Sequence, residues 1–322
     1  MLPSVTIVTP CYNRANYLDE TIKSVLGQDY PHIEYIVMDD GSTDNTREIL
    51  SQYSDRIIWG SHPNMGETLT VNKGWGMSTG DLIMTVNSDD PLLPGAISAA
   101  VEFMQEHPDI LVSYPDWNMI GPESEFMEHR QVPEYDQLLM WTRNYCFVGP
   151  GAIMRRKVLE MVGGRDPEFK YVADFDFWLR VGLYGNFARI PQTLATFRVH
   201  PSSASVSHQG GAMAEEHLRL VEKLYSLPDL PTKVQSVRAA AFAWANYEAG
   251  RYWVRDEKLR RELFFRAMSH SPQSFFSIKT RRDLLSILLV VLPSWVFSIL
   301  MQSWRMFRPI VVPVGRLIKK RR

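Results

Sequence analysis

The sequence predicts an α/β protein built on a largely parallel sheet, followed by an all-helical extension. Three observations carry this. Strand and helix signals alternate from Val5 to Pro108, the pattern of a parallel sheet wound through right-handed crossovers. Two apolar runs, Tyr35-Ile36-Val37-Met38 and Leu82-Ile83-Met84-Thr85-Val86, each lead into an aspartate pair, Asp39-Asp40 and Asp89-Asp90. From Ala212 onward the strand signals stop and helical periodicity takes over.

Each element has a local reason. Val5 to Val8 is rich in β-branched residues and reads as a buried strand. Asn16 can cap a helix whose first turn carries Asp19 and Glu20, acids that suit the positive end of the macrodipole. Leu18, Ile22, Val25 and Leu26 give that helix an apolar face, and Gly27 can close it. Ile33 to Met38 is the next strand. Asn45 with Glu48 resembles a capping box opening a helix through Leu50. Ile57 to Gly60 reads as a short strand, Asn72 to Met77 as a helix and Leu82 to Val86 as a strand. Pro94 opens a helix carrying Ile97, Val101 and Met104, and Pro108 ends it. Leu111 to Tyr114 is a strand. Cys146 to Met154 is predicted as another, with Gly149 and Gly151 marking a close approach. Ala173 to Leu183 is helical. Three further helices are expected over Ala212–Tyr225, Val234–Tyr252 and Glu257–Met268.

Composition narrows the function classes. The hydrophobic fraction of 45% supports a substantial core. A net charge of −1 gives no electrostatic footprint for nucleic acid. Two cysteines, Cys11 and Cys146, make neither a disulfide framework nor a zinc ligand set and fit a reducing cytosol. No basic, apolar leader precedes Ser4, so no signal peptide is expected. No Gly-x-Gly-x-x-Gly follows the first strand, which argues against a dinucleotide site. No glycine-rich, lysine-containing phosphate loop stands there either, so a nucleotidyltransferase lacks support. From Lys279 onward ten basic residues meet one acid, Asp283, around the apolar stretch Leu284 to Met301. That segment suits an interfacial membrane helix, with a buried helix or a bilayer span as the alternatives.

In open parallel sheets, ligands bind outside the carboxyl ends of the strands. Two acidic pairs there suit a divalent cation and a polyhydroxyl ligand, because Mg²⁺ and Mn²⁺ take one or two carboxylates and complete their shell with phosphate and water. The plainer reading of an isolated pair is a turn or a helix cap. Two pairs, each after an apolar strand, favour the ligand site. Thr9 and Tyr12, after the first strand, suit a nucleobase, and Lys73 or His200 suits a developing negative charge. Trp117, Trp141, Arg143 and Tyr145 are candidates for stacking on or bonding to such a polyhydroxyl ligand. Asp176 and Arg180, four apart, suit an ion pair on one helix face.

The run Ser4-Val5-Thr6-Ile7-Val8-Thr9-Pro10-Cys11-Tyr12-Asn13-Arg14 strongly resembles the opening of family-2 glycosyltransferases. Asp39-Asp40-Gly41-Ser42, Asn64-x-Gly66, Asn72-Lys73-Gly74, Thr79-Gly80-Asp81 and Asn87-Ser88-Asp89-Asp90 follow in that family's order. Gly149-Pro150-Gly151, Val162-Gly163-Gly164, Ala173-Asp174-Phe175-Asp176 and Phe197-Arg198-Val199-His200 continue it, so the resemblance spans residues 4 to 205. It implies a GT-A fold, a Rossmann-like αβα sandwich, and an inverting transfer of a sugar from a nucleotide-activated donor to a hydroxyl. It implies donor contacts at Thr9, Pro10, Tyr12, Arg14, Asp40, Asn64, Lys73, Asn87, Ser88 and Asp89. It implies Mg²⁺ or Mn²⁺ near Asp89, Asp90 and His200, and Asp174 as catalytic base. Asn87 stands where the family's metal motif often has Asp, and Ala173 where its catalytic motif often has Glu. These departures keep a non-catalytic nucleotide-sugar-binding or scaffold protein as the alternative.

The expected organisation is a glycosyltransferase domain over 1–210, a helical extension over 211–278 and a basic amphipathic tail over 279–322. The expected partners are a nucleotide-sugar donor, a glycan or lipid-linked acceptor and, through the tail, the cytoplasmic face of a membrane. No nucleic-acid partner is expected.

Overall fold

The computed structural model describes residues 2–143, 145–201, 210–250 and 256–272. The first half alternates as β1 (Val5–Cys11), α1 (Leu18–Leu26), β2 (Ile33–Asp39), α2 (Thr46–Ser51), β3 (Ile58–Ser61), α3 (Glu67–Met77), β4 (Leu82–Thr85) and α4 (Ala96–Glu106). It continues through β5 (Ile110–Ile120), β6 (Phe126–Arg130), α5 (Gln137–Arg143), β7 (Ile153–Arg155), α6 (Lys157–Val162), α7 (Ala173–Val181) and β8 (Asn186–Arg198). The helices α8 (Gly210–Leu224), α9 (Thr232–Gln235), α10 (Arg238–Glu248) and α11 (Glu257–His270) follow.

One mixed sheet runs in the order β3-β2-β1-β4-β7-β5-β6, with β8 paired along β5. β3, β2, β1 and β4 are mutually parallel. β7 is antiparallel to both β4 and β5, and it joins the two halves into one sheet. The order 3-2-1-4 makes the β1/β4 boundary a topological switch point, where a crevice opens beyond the strand ends.

Period-2 alternation sorts the core onto the two faces. Val5 and Ile7 of β1, with Leu82 and Met84 of β4, pack with Leu18, Ile22 and Val25 of α1 and with Ile97 and Val101 of α4. Val8 and Ile83 face the other way, toward Val71 and Trp75 of α3 and Phe177 of α7. Gly74 lets α3 lie close on the sheet: a Cβ there would stand 2.4 Å from Val8 Cγ1. Gly74→Ala is therefore expected to be destabilising. Overpacking against a stiff, buried valine costs about 1–3 kcal/mol, against about 1 kcal/mol gained in helix propensity. A urea midpoint that falls without a change in slope checks this, and a raised midpoint would show that Val8 yields.

The extension joins the second face. Leu220, Val221, Leu224 and Tyr225, at and just beyond the end of α8, belong to the same apolar cluster as Ala173 and Phe177 of α7. Among the described residues no helix is long and apolar enough to cross a membrane. The segment from Lys279 onward, with its apolar run Leu284 to Met301, lies outside the described residues.

Several local expectations are corrected. Tyr17, not Asn16, precedes α1, and the Arg14 carbonyl accepts from the Tyr17 and Leu18 amides. Asn45 precedes α2 but makes no side-chain cap; Asp44 Oδ1 instead accepts from the Thr46 amide at 3.0 Å. Of the strand predicted over Cys146–Met154, only the end at β7 is extended. Pro150 and the left-handed Gly151 (φ 77°) turn the chain beforehand. β8 escaped notice because Pro191, Gln192 and Thr193 break its apolar pattern; register shifts beside Asp116 absorb them.

Candidate active site

The two aspartate pairs flank the switch point, and each divides its labour. Asp39 faces inward. Its carboxylate accepts from the Ser42 amide at 3.0 Å, Ser61 Oγ at 2.6 Å and Arg47 Nε at 2.9 Å. Burial raises its pKa, but these hydrogen bonds outweigh burial and hold it below the ordinary range. Asp40 lines the crevice, its two oxygens accepting from the Met65 and Gly66 amides at 2.7 and 3.0 Å. Gly41 between Asp40 and Ser42 has φ 76°, and a Cβ on it would stand 2.7 Å from the Asn64 amide. Only glycine lets these two loops meet there.

The second pair has the opposite order. Asp89 projects toward the crevice: Oδ2 lies 2.8 Å from His200 Nε2 and 3.4 Å from Arg14 Nε. Asp90 turns inward. Its Oδ1 accepts from the Arg198 amide at 2.7 Å and its Oδ2 from Asn87 Nδ2 at 2.9 Å. Burial first, then the Asp89 charge, pushes its pKa up to about 7, against the pull of those two hydrogen bonds and the Arg198 charge. The unfolded carboxyl ionises near 4. Between about 4 and about 7 the folded state therefore holds the extra proton, and stability should fall as pH rises through that window, by up to ~1.4 kcal/mol per pH unit. Urea midpoints at about pH 5 and about pH 7 should differ more in wild type than in Asp90→Asn; equal slopes would refute the shift.

Arg198 locks this corner. Its buried guanidinium donates to the Asp89 carbonyl, the Gly121 and Pro122 carbonyls, Ser124 Oγ and Glu20 Oε2. It also lies over the Tyr17 ring, 4.9 Å from the centroid, while Tyr17 packs on His200 at 4.8 Å. The loops after β1 and β2 are latched by Asn13, whose φ of 52° brings Oδ1 within 2.8 Å of the Thr43 amide.

Two adjoining cavities result. The larger, about 810 Å³, is lined by Pro10, Tyr12, Arg14, Asp40, Asn64 and Ser88, with Asp89 and Lys170. The smaller, about 360 Å³, is lined by Asp174, Trp75, Trp117, Tyr145, Cys146 and Arg165. Glu67, Asn87, Asp90 and Phe197 are shared walls.

Asp174 sits in the first turn of α7, with Oδ1 accepting from the Phe175 amide at 2.8 Å. The turn before it is held from α8. Glu216, nearly buried, accepts from the Lys170, Tyr171 and Val172 amides at 2.7–3.2 Å. Those amides would otherwise be left unpaired at a helix start. One turn on, the expected Asp176–Arg180 pair is present at 2.8 Å, and Asp176 also accepts from Lys223 of α8 at 2.6 Å.

Two expected site residues line neither cavity, and a third lines both with its carboxylate already engaged. Thr9 is fully buried and shares a hydrogen bond with the Tyr35 hydroxyl at 3.2 Å, because its β1 position points into the core rather than past the strand end. Lys73 is exposed on α3 and lines neither cavity. Asp90 has both oxygens engaged, by the Arg198 amide and by Asn87, and so braces this corner. Of the aromatic candidates, Trp117 and Tyr145 line the smaller cavity. Trp141 is core, and Arg143 stacks on Trp244 at 4.2 Å. Sequence reasoning missed Glu67, Lys170, Arg165 and Glu216. Only the last carried a signal, an acid on the apolar side of an amphipathic helix.

The profile of Glycosyl transferase family 2 matches residues 6–163. This stretch of the chain belongs to glycosyl transferase family 2. This family-2 chain is 32% identical to the putative teichuronic acid biosynthesis glycosyltransferase TuaG of Bacillus subtilis, over 45% of this chain and 60% of that one. Its structure is similar to that of Staphylococcus aureus TarS 1-349 in complex with UDP, with a TM-score of 0.61 and 17% identity, covering 97% of this chain and 95% of that one. It is also similar to the mannosyltransferase PcManGT from Pyrobaculum calidifontis in complex with GDP-Man and Mn²⁺, with a TM-score of 0.59 and 15% identity, covering 95% and 86%. The family-2 fold is thus GT-A.

Proposed function

We propose that the chain is an inverting glycosyltransferase, moving a hexosyl group from a nucleoside-diphosphate donor to an acceptor hydroxyl in the synthesis of a cell-surface or exported glycan. The observation that carries this reading is the placement of Asp174 in a cavity that shares walls with the crevice of Asp40 and Asp89. The similarity to TuaG, to TarS in complex with UDP and to PcManGT in complex with GDP-Man supports the donor class and the glycan setting. The basic, apolar sequence from Lys279 onward supports work at the cytoplasmic face of a membrane.

In this reading the nucleoside lies against Tyr12 and Asp40, and the diphosphate lies toward Arg14 and Lys170, cations aimed at the charge that grows as the bond breaks. Trp117 and Tyr145 take the acceptor sugar. Asp174 accepts the proton of the attacking hydroxyl as the new bond forms. One base and one displacement invert the anomeric carbon, so no protein nucleophile is required.

Asp89 and His200 fit a divalent cation in part. Asp89 Oδ2 and His200 Nε2 are hydrogen-bonded to each other at 2.8 Å, so a cation would have to take the place of that contact, with donor phosphates and water completing the shell. Among the described residues no third His, Cys, Asp or Glu joins them. A cation there would supply Lewis-acid stabilisation of the departing diphosphate. The test is the anomeric configuration of the product by NMR. Inversion is expected, and retention would sink the single-displacement reading.

A further inference from the structure

Arg165 is the one cation among the described residues lining the smaller cavity, and its side chain is 10% exposed. Its backbone is clamped: Asn72 Nδ2 donates to the Arg165 carbonyl at 2.7 Å, and the Arg165 amide donates to Asn72 Oδ1 at 2.8 Å. Gly164 makes this clamp possible, because a Cβ there would lie 2.5 Å from Asn72 Oδ1. The guanidinium is thereby held 5.5 Å from the Trp75 ring centroid. Its hydrogen bonding is incomplete. Nη1 reaches Glu67 at 3.2 Å, but the Glu67 side chain is 61% exposed, and Nε is buried without a hydrogen-bond partner among the described residues. A buried guanidinium is costly when its donors are unmatched, and an ion pair to an exposed carboxylate offsets little of that cost.

The larger cavity has its own cations, Arg14 and Lys170, for a diphosphate. Arg165 is left on the acceptor side, in the same cavity as Asp174 and the ring-stacking aromatics. Five donors in a planar fork match a carboxylate or a phosphate. We propose that Arg165 receives an anionic group carried by the acceptor sugar, making the chain selective for acidic acceptors. The assignment rests on the smaller cavity being the acceptor site.

The test measures acceptor binding rather than turnover, so that the two readings fail separately. The full chain is titrated calorimetrically, in the presence of UDP, with methyl β-D-glucuronide, glucose 6-phosphate and neutral methyl β-D-glucoside. At least one anionic probe is expected to bind about tenfold or more tightly than the neutral one, as charge-assisted bonds to a buried fork supply. The stronger anionic probe distinguishes carboxylate from phosphate. Arg165→Gln should bring the ratio near one, and Arg165→Lys should restore part of it. If Arg165→Gln does not fold, the wild-type ratio alone decides. Equal or weaker binding of both anionic probes by wild type overturns the proposal, as does a preference that survives in folded Arg165→Gln. A chain that prefers the anionic probe but transfers no sugar would overturn the transferase reading and leave this site standing.

Discussion

Asp174→Asn is expected to cut sugar transfer by about 10²–10⁴-fold, the range a positioned general base contributes. Donor binding should survive, because Asp174 lines the smaller cavity and not the crevice of Asp40 and Asp89. The asparagine carbonyl can still accept from the Phe175 amide, so the first turn of α7 should hold. Single-turnover transfer, with the donor-induced rise in melting temperature measured in parallel, separates the two effects. Transfer within a few-fold of wild type would remove Asp174 from the base role. Glu67, a largely exposed carboxylate on the same cavity wall that is paired with Arg165, would then be the next group to test. Loss of the donor-induced shift as well would mean that the substitution disturbed the shared wall rather than the proton transfer.

Arg198→Met is expected to be the most destabilising single change in the site. Among the described residues the guanidinium serves five acceptors from three segments of chain, and its side chain is completely buried. Methionine fills much of the volume but leaves the Asp89, Gly121 and Pro122 carbonyls without that donor. Breaking a buried charge network typically costs about 3–5 kcal/mol, a large part of the 5–15 kcal/mol that holds a domain together. Arg198→Lys should recover little, because one ammonium cannot span the fork's reach. A urea midpoint lowered by this energy divided by the unfolding slope, together with a lost donor-induced shift, is the expected result. A midpoint near wild type would show that water replaces the guanidinium.

The N-terminal half was legible because its signals are local. β1, β2 and β4 each carry enough β-branched and apolar residues to declare themselves, and the acids that follow mark the strand ends. Within each pair, sequence could not say which aspartate faces the crevice. That depends on distant partners: Ser61 and Arg47 draw Asp39 inward, while the Arg198 amide draws Asp90 inward. The placement of Thr9 differs from the sequence expectation for a related reason. A strand's period assigns faces only when its register in the sheet is known, and β1 continues to Cys11. β8 was hidden by its bulged, polar middle. Arg165 and Lys170 carry no pattern at all; their meaning comes from which cavity a folded loop presents them to.

The Glu216 contact changes what counts as one working unit. The lining of the larger cavity is complete by Arg198, and similarity to the family profile ends earlier, at residue 163. Yet the turn that aims Asp174 hangs from a carboxylate on α8. A chimera joining the first 200 residues to a relative's C-terminal half should therefore keep its grip on donor while losing the alignment of its base. On the proposed reading, donor binding and the positioning of the base would draw on different stretches of sequence, and recombination would separate them.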